Sequence, residues 1–379
     1  MSPALHVTPL AARRFLRRAL ALDVPHADIG AALAHHGYIQ IDPLNVCGRM
    51  HDHILRHRVA GYREGDLMRH LHGGDGARPA EARTAFEHHV PGTHILVAFP
   101  LAAWPHLLAA MRQRTTARGA WSGKLTPRES ALAERLLAEL AARGPLGSDE
   151  LHDGRRGRRV WGAATLAKAT LQKLFFHGRV LIARRERNRR LYDMPERVLP
   201  AAVRAAAEPA AADTARWLAL LKVRQRRLAI LKRDEVRAAG DAVQAVTIDG
   251  VDCPTLYCLR EDTAALTAAA DQSTFNLHLS TAAAEPRLLA PLDPLIYDRR
   301  VTAALWNFDY TWEAYTPPHQ RVRGHYALPI LAGTEIVGDV DPKADREKKK
   351  LRVVSRRVRR GHRATEAVAS LARFLGLRA

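Results

Sequence analysis

The chain is poor in acidic residues, in cysteine and in long apolar runs, and each shortage narrows its class. Only 39 Asp and Glu stand against 59 Lys and Arg, which leaves a formal net charge of +20 with histidine neutral. Three cysteines, Cys47, Cys253 and Cys258, are too few for a disulfide framework and point to a reducing compartment. The longest apolar run, Ile95 to Met111, is broken by Pro100, Pro105 and His106, short of the roughly 20 residues a membrane span needs. A membrane protein, a secreted disulfide scaffold and a collagen-like chain are thereby excluded. No Walker phosphate loop, dinucleotide fingerprint or serine-nucleophile elbow is present.

What is present is a long basic chain with material for real cores. With 379 residues, 47% of them hydrophobic, two or three domains are expected. A charge of this size over a folded chain is the footprint of a nucleic-acid partner, against the blander reading of a solvated basic surface. Arg13, Arg14, Arg17 and Arg18 among apolar residues faintly resemble a transit peptide. However, Thr8-Pro9 is an N-cap followed by a first-turn proline, so the segment reads as an ordinary helix over 8–21 of a cytoplasmic, nucleoid-associated chain mature from Met1.

Four segments are expected. Residues 1–120 hold short helices (8–21, and His26 to His36 stopped by Gly37). A strand-like run Tyr38–Asp42 follows, then a helix opened by Pro43 and running to about Arg58. Residues 121–195 are the clearest unit. A capping box at Thr126–Glu129 opens a helix with Leu132, Leu136, Leu137 and Leu140 on one stripe. A short helix from Ser148, a helix from Ala163 to His177 and a hairpin complete a winged-helix pattern. The hairpin tip carries Arg184, Arg185, Arg187, Arg189 and Arg190, suited to phosphate contacts. Residues 196–285 read as a third helical or winged unit, and 286–379 as a small antiparallel β-domain with a basic stretch (Lys348–Arg363) and a terminal helix.

Nineteen histidines raise the question of a metal, but the pairs His51 and His53, His35 and His36, and His88 and His89 lack the i, i+4 spacing of a helical zinc motif, and the cysteine spacing is wrong for a zinc ribbon. No metal or cofactor is expected. Within Tyr38–Asp42, side chains two apart on a strand project to one side, so Gln40 and Asp42 form a pair while Ile39 and Ile41 anchor the other face. A carboxylate beside an amide suits hydrolysis of an N-glycosidic bond, by stabilising an oxocarbenium-like sugar or activating a positioned water. From spacing alone, Asp42 as the N-cap of a helix starting at Pro43 is the more ordinary reading.

The run Tyr38 to Arg49 (YIQIDPLNVCGR), with His51, His53 and Gly61-Tyr62, resembles the winged-helix, crosslink-unhooking DNA glycosylases (the AlkZ/YcaQ group). So do Leu288 to Arg300, Phe308-Asp309-Tyr310, Glu313, Tyr315-Thr316-Pro317, Arg321, Gly324, Tyr326, Leu328-Pro329 and Asp341 to Arg346. The resemblance implies an α+β fold of tandem winged-helix units in a C shape, completed by a C-terminal β-barrel-like domain. It also implies a monofunctional, metal-free glycosylase for bulky or crosslinked N7-alkylated purines. Gln40 and Asp42 match the Gln-x-Asp form of the family's catalytic motif. Asn45, Arg49, His51, His53 and His89 are expected to support the site, and His319 and Arg321 to approach DNA with the arginine hairpin. The expected partner is double-stranded DNA with alkylated or crosslinked guanine, met by a monomer away from any membrane. Two departures stand out. Pro43 follows the motif where the family has Thr, and Pro91 stands four residues after Glu87 where the family has His, with His89 or His94 as stand-ins. A non-catalytic winged-helix regulator, with Asp42 structural, is the rival reading; a protein-interaction scaffold is a more distant one.

Overall fold

The computed structural model describes residues 3–74, 76, 78–151, 156–160, 163–270 and 285–379. The chain is mixed α and β and closes into two compact units, neither of them a continuous segment. The first comprises 1–37, 42–64 and 211–379; the second comprises 38–41 and 65–210. Of the four expected segments, 121–195 lies wholly in the second unit and 286–379 wholly in the first. Residues 1–120 and 196–285 are each divided between them.

In the first unit, Leu5–Val7 pairs parallel with Val243–Ile248, which pairs antiparallel with Leu256–Leu259. The helix Pro9–Ala19 begins where Thr8 accepts from the Ala11 N–H. It buries Phe15 and Leu16 in a core shared with Val246, Leu256, Leu305 and Trp306. A second sheet is antiparallel throughout: Arg287–Leu288, Leu328–Ala332, Glu335–Asp345 and Lys350–Val358, in that order. The helix Thr365–Phe374 lays Ala367, Val368 and Leu371 into a core with Leu288, Tyr326, Ile330 and Val340. This sheet is open, and no closed barrel is found among the described residues. Arg58 and Asp293, both fully buried, form a two-pronged ion pair at 2.9 and 2.7 Å that ties the first segment to the C-terminal one.

The second unit contains the sheet Ile39–Gln40, Leu96–Pro100, Ala85–His89, in that order, and the hairpin Leu181–Glu186 with Arg189–Asp193. The capping box at Thr126 forms as read, and its helix spans Pro127–Arg143. The expected short helix from Ser148 is a turn. The next helix starts at Leu166 rather than Ala163, because Thr165 caps it and Ala163–Thr165 pairs as a strand with Arg156–Val160.

Among the described residues no helix is long and apolar enough to cross a membrane.

Candidate active site

The strand that carries the motif is shorter than its sequence suggests. Ile39–Gln40 pairs with Val97 and Ala98, and one further bond, Ile41 N–H to Leu96 O at 2.9 Å, ends the ladder. Ile39 and Ile41 are buried, as expected. The alternation argument stops at Gln40, so it does not place Asp42 on Gln40's side. Pro43 brings no N–H, and Asp42 closes a turn by accepting from the Leu44 N–H at 2.9 Å. Gln40 belongs to the second unit and Asp42 to the first; the chain passes between them at Ile41.

The helix expected from Pro43 to Arg58 is reduced to Met50–Leu55. Residues 42–49 are irregular instead, with Asn45 Oδ1 accepting from the Gly48 N–H and Gly48 at φ +108°. Asp42 is therefore not a helix cap. Its half-buried carboxylate accepts one hydrogen bond among the described residues, and burial raises its pKa while the Leu44 N–H opposes the rise. Gln40 is also half-buried, and its Oε1 lies buried with no hydrogen-bond partner. Both groups of the motif thus keep hydrogen-bonding capacity that the fold does not spend.

In the first unit, Leu44 packs on the same apolar cluster as Trp312 and Tyr326. Trp312 stands 5.8 Å from Tyr315 and 6.0 Å from Tyr326, ring centre to ring centre, both edge-on. Tyr315 is 65% exposed, whereas the Tyr326 hydroxyl is buried without a partner. Burial raises both phenols' pKa, and the Asp42 charge raises them further. An exposed tyrosine backed by a tryptophan therefore lies within electrostatic reach of the candidate carboxylate. Trp312 was not foreseen. The signal that could have found it is the density of aromatic residues at Trp306, Phe308, Tyr310, Trp312 and Tyr315.

The loop bearing Tyr315, His319 and Arg321 is pre-organised by one carboxylate. Glu313, 7% exposed, accepts from the N–H groups of Val322, Arg323 and Gly324 at 2.9, 2.7 and 3.0 Å. Asp341 holds the next two N–H groups, of His325 and Tyr326, both at 2.9 Å. A side chain at Gly324, where φ is +130°, would run into the Asp341 carboxylate. His319 is exposed at the turn, while Arg321 spends its Nε on Thr316 O at 2.8 Å.

Of the residues expected to support the site, His51, His53 and His89 are buried, Arg49 is half-buried and Asn45 is exposed. His51 and His53 are fully buried. His51 Nε2 lies 3.9 Å from the Asp52 carboxylate, and His53 Nε2 lies 3.8 Å from Cys47 Sγ with its ring 6.3 Å from Tyr326. Burial pushes the His53 imidazole down to about 3, so it is neutral at physiological pH. Arg49 is the residue before the helix Met50–Leu55 and forms an isolated bridge with Asn45. His89 lies in the second unit, stacked on Phe176 at 3.9 Å and buried, and burial holds its pKa well below the ordinary value. His94, the other stand-in, meets Ser122 Oγ at 3.0 Å.

The arginine hairpin is less free than five adjacent positive charges suggest. Arg185 bonds both oxygens of buried Glu87, at 2.6 and 2.5 Å, while Glu87 also meets His72 at 2.7 Å. Burial alone would raise the Glu87 pKa, but Arg185 and His72 outweigh it and hold the carboxyl far below the usual range. Arg189 is shared by Asp149, Glu150 and Glu186, Arg184 also meets Glu186, and Arg190 reaches Gln172 at 3.4 Å. Arg187 is the exposed arginine at the turn, at φ +57°. A second basic surface lies in the first unit. Residues 348–363 carry nine Lys and Arg and no acid, and from Arg352 to Arg357 every residue of the edge strand is exposed.

The sequence profile of the "DNA glycosylase AlkZ-like" family matches residues 33–376. The chain belongs to this family. It is thus a DNA glycosylase, an enzyme of DNA repair whose substrate is DNA. The fold agrees: the solved structure of the Streptomyces sahachiroi DNA glycosylase AlkZ superimposes with a TM-score of 0.61 at 16% identity, covering 98% of each chain. The AlkZ-like assignment covers the motif at Gln40 and Asp42, the aromatic cluster and the basic edge strand alike.

Proposed function

We propose that this AlkZ-like enzyme hydrolyses the N-glycosidic bond of N7-alkylated purines in duplex DNA, including bulky and interstrand-crosslinked guanine, as a monomer and without a cofactor. The observation that carries the reading is the unspent Asp42 carboxylate, half-buried, bonded once and not used as a helix cap.

An N7-alkylguanine is cationic, so it leaves as a neutral base once the C1′–N9 bond breaks, and no strong general acid is required. The sugar is left as an oxocarbenium ion. Asp42 would stabilise that charge and take the proton of the water that attacks C1′, with Gln40 orienting the water. Partial desolvation strengthens the carboxylate's hold on a developing cation. Tyr315 on Trp312 offers an exposed aromatic face for a cationic, electron-poor base, a contact worth about 1–3 kcal/mol per stacked base. The basic edge strand and Arg187 supply sequence-independent phosphate contacts.

The test is release of free base from duplexes carrying N7-methylguanine or an N7-linked crosslink, by the native chain and by Asp42→Asn. Release by the native chain alone supports the reading. Tight duplex binding with no release from either substrate favours a different lesion class.

A further inference from the structure

Outside the glycosylase site, the first unit gathers three imidazoles that the reaction does not use. His35 and His36 end the helix Ile29–His36, and His26 lies just before it, held by backbone bonds to Arg58 O at 2.8 Å and from the Ala60 N–H at 2.9 Å. One nitrogen of each ring falls within 4.8 Å of the others. Ring centres are 4.7, 5.5 and 4.9 Å apart. Three imidazoles on a tetrahedral zinc, with bonds of about 2.0–2.1 Å, have centres about 5 Å apart.

The polar accounting points the same way. His36 is fully buried, yet neither of its ring nitrogens has a hydrogen-bond partner, and His26 Nε2 is likewise buried and unpartnered. Leaving such atoms unmet is costly, whereas a coordinated cation satisfies them. His35 Nε2 is engaged by Ala19 O at 2.7 Å and lies 2.5 Å from Arg227 Nη2. That leaves Nδ1 to coordinate, the arrangement in which a ligating imidazole turns its other nitrogen to a backbone carbonyl. The neighbouring cations are answered: Arg58 by Asp293, and Arg227 by Asp262 at 3.2 Å. Asp28 and Glu261 offset part of the positive potential that Arg227 places on His26 and His35.

We infer that His26, His35 and His36 form a structural site for a zinc-class divalent cation, which fixes the end of the helix from which the Tyr38–Asp42 motif leaves at Gly37. The site departs from the metal-free expectation drawn from sequence, because ring proximity across His26 and the helix end has no spacing signature. It leaves the hydrolysis without a metal step.

The experiment is equilibrium dialysis of the full chain against zinc, with metal content read by mass spectrometry, and cobalt(II) absorption as a second readout. One equivalent held at submicromolar free zinc, a tetrahedral cobalt spectrum, and a rise in Tm with zinc are expected. A His26→Ala/His35→Ala variant, which spares buried His36, should lose all three while its zinc-free Tm stays near that of the native chain. No saturable zinc beyond what this variant takes up would overturn the proposal, whatever His36→Ala does to folding.

Discussion

The guanidinium of Arg185 donates to both oxygens of Glu87, with the two side chains 7% and 0% exposed. An arginine that reads from sequence as one of five equivalent phosphate contacts is thus an internal tie, joining the hairpin to the strand Ala85–His89. Removing it leaves Glu87 buried with His72 alone. Arg185→Ala should therefore cost about 3–5 kcal/mol of stability, the range for breaking one side of a buried pair. Arg187→Ala should leave Tm unchanged and weaken duplex binding. Urea denaturation of both variants decides the matter; equal stability would mean that the pair is not formed in solution.

Asp42→Asn should reduce base excision by at least about a hundredfold, the lower end of what a positioned acid–base group contributes, with duplex affinity nearly intact. The pH dependence has a definite sign. Burial raises the Asp42 pKa in the folded chain, so the folded state holds the proton more tightly, and stability is lost as pH rises through the interval between the unfolded and folded values. At pH 7 the ionised carboxylate is a cost to the fold, and Asp42→Asn should melt at the same temperature as the native chain or higher. Activity should fall on acidification at a higher pH than an ordinary aspartate would give. A lowered Tm in the variant would instead mark Asp42 as structural.

Tyr315→Ala should raise KM for a duplex containing N7-methylguanine about tenfold or more, in line with the loss of one stacked base, while kcat changes less. Tyr315→Phe should restore it, since the face rather than the hydroxyl is used. Identical kinetics for the native chain and the Ala variant would remove the aromatic pair from the reaction.

Arg352→Ala/Arg356→Ala should flatten the salt dependence of duplex binding by about 0.9, on log–log axes, for each phosphate that is no longer neutralised. Both side chains are exposed on an edge strand, so folding should be unaffected. An unaltered slope measured by fluorescence anisotropy would show that this strand faces away from DNA.

Much of the architecture was legible in the sequence because it is encoded locally. Thr8-Pro9, the capping box at Thr126, Gly37 and the strand pattern after Leu328 act through neighbours a few residues away, and each appears in the fold near its expected place. Membership of the family was legible as well, through the resemblance carried by the run that includes Gln40 and Asp42. The surroundings of those two residues were not, because Pro43 reads as a helix opener until the Asp42 turn and Gly48 show the backbone going elsewhere. Which group answers each charge, and which ring meets which, is settled in three dimensions. Glu87 is 98 residues from Arg185, and Asp293 is 235 from Arg58. His26, His35 and His36 meet only because the chain returns on itself before the helix. Coulomb attraction and ring packing depend on distance in space, which residue spacing along the chain does not record.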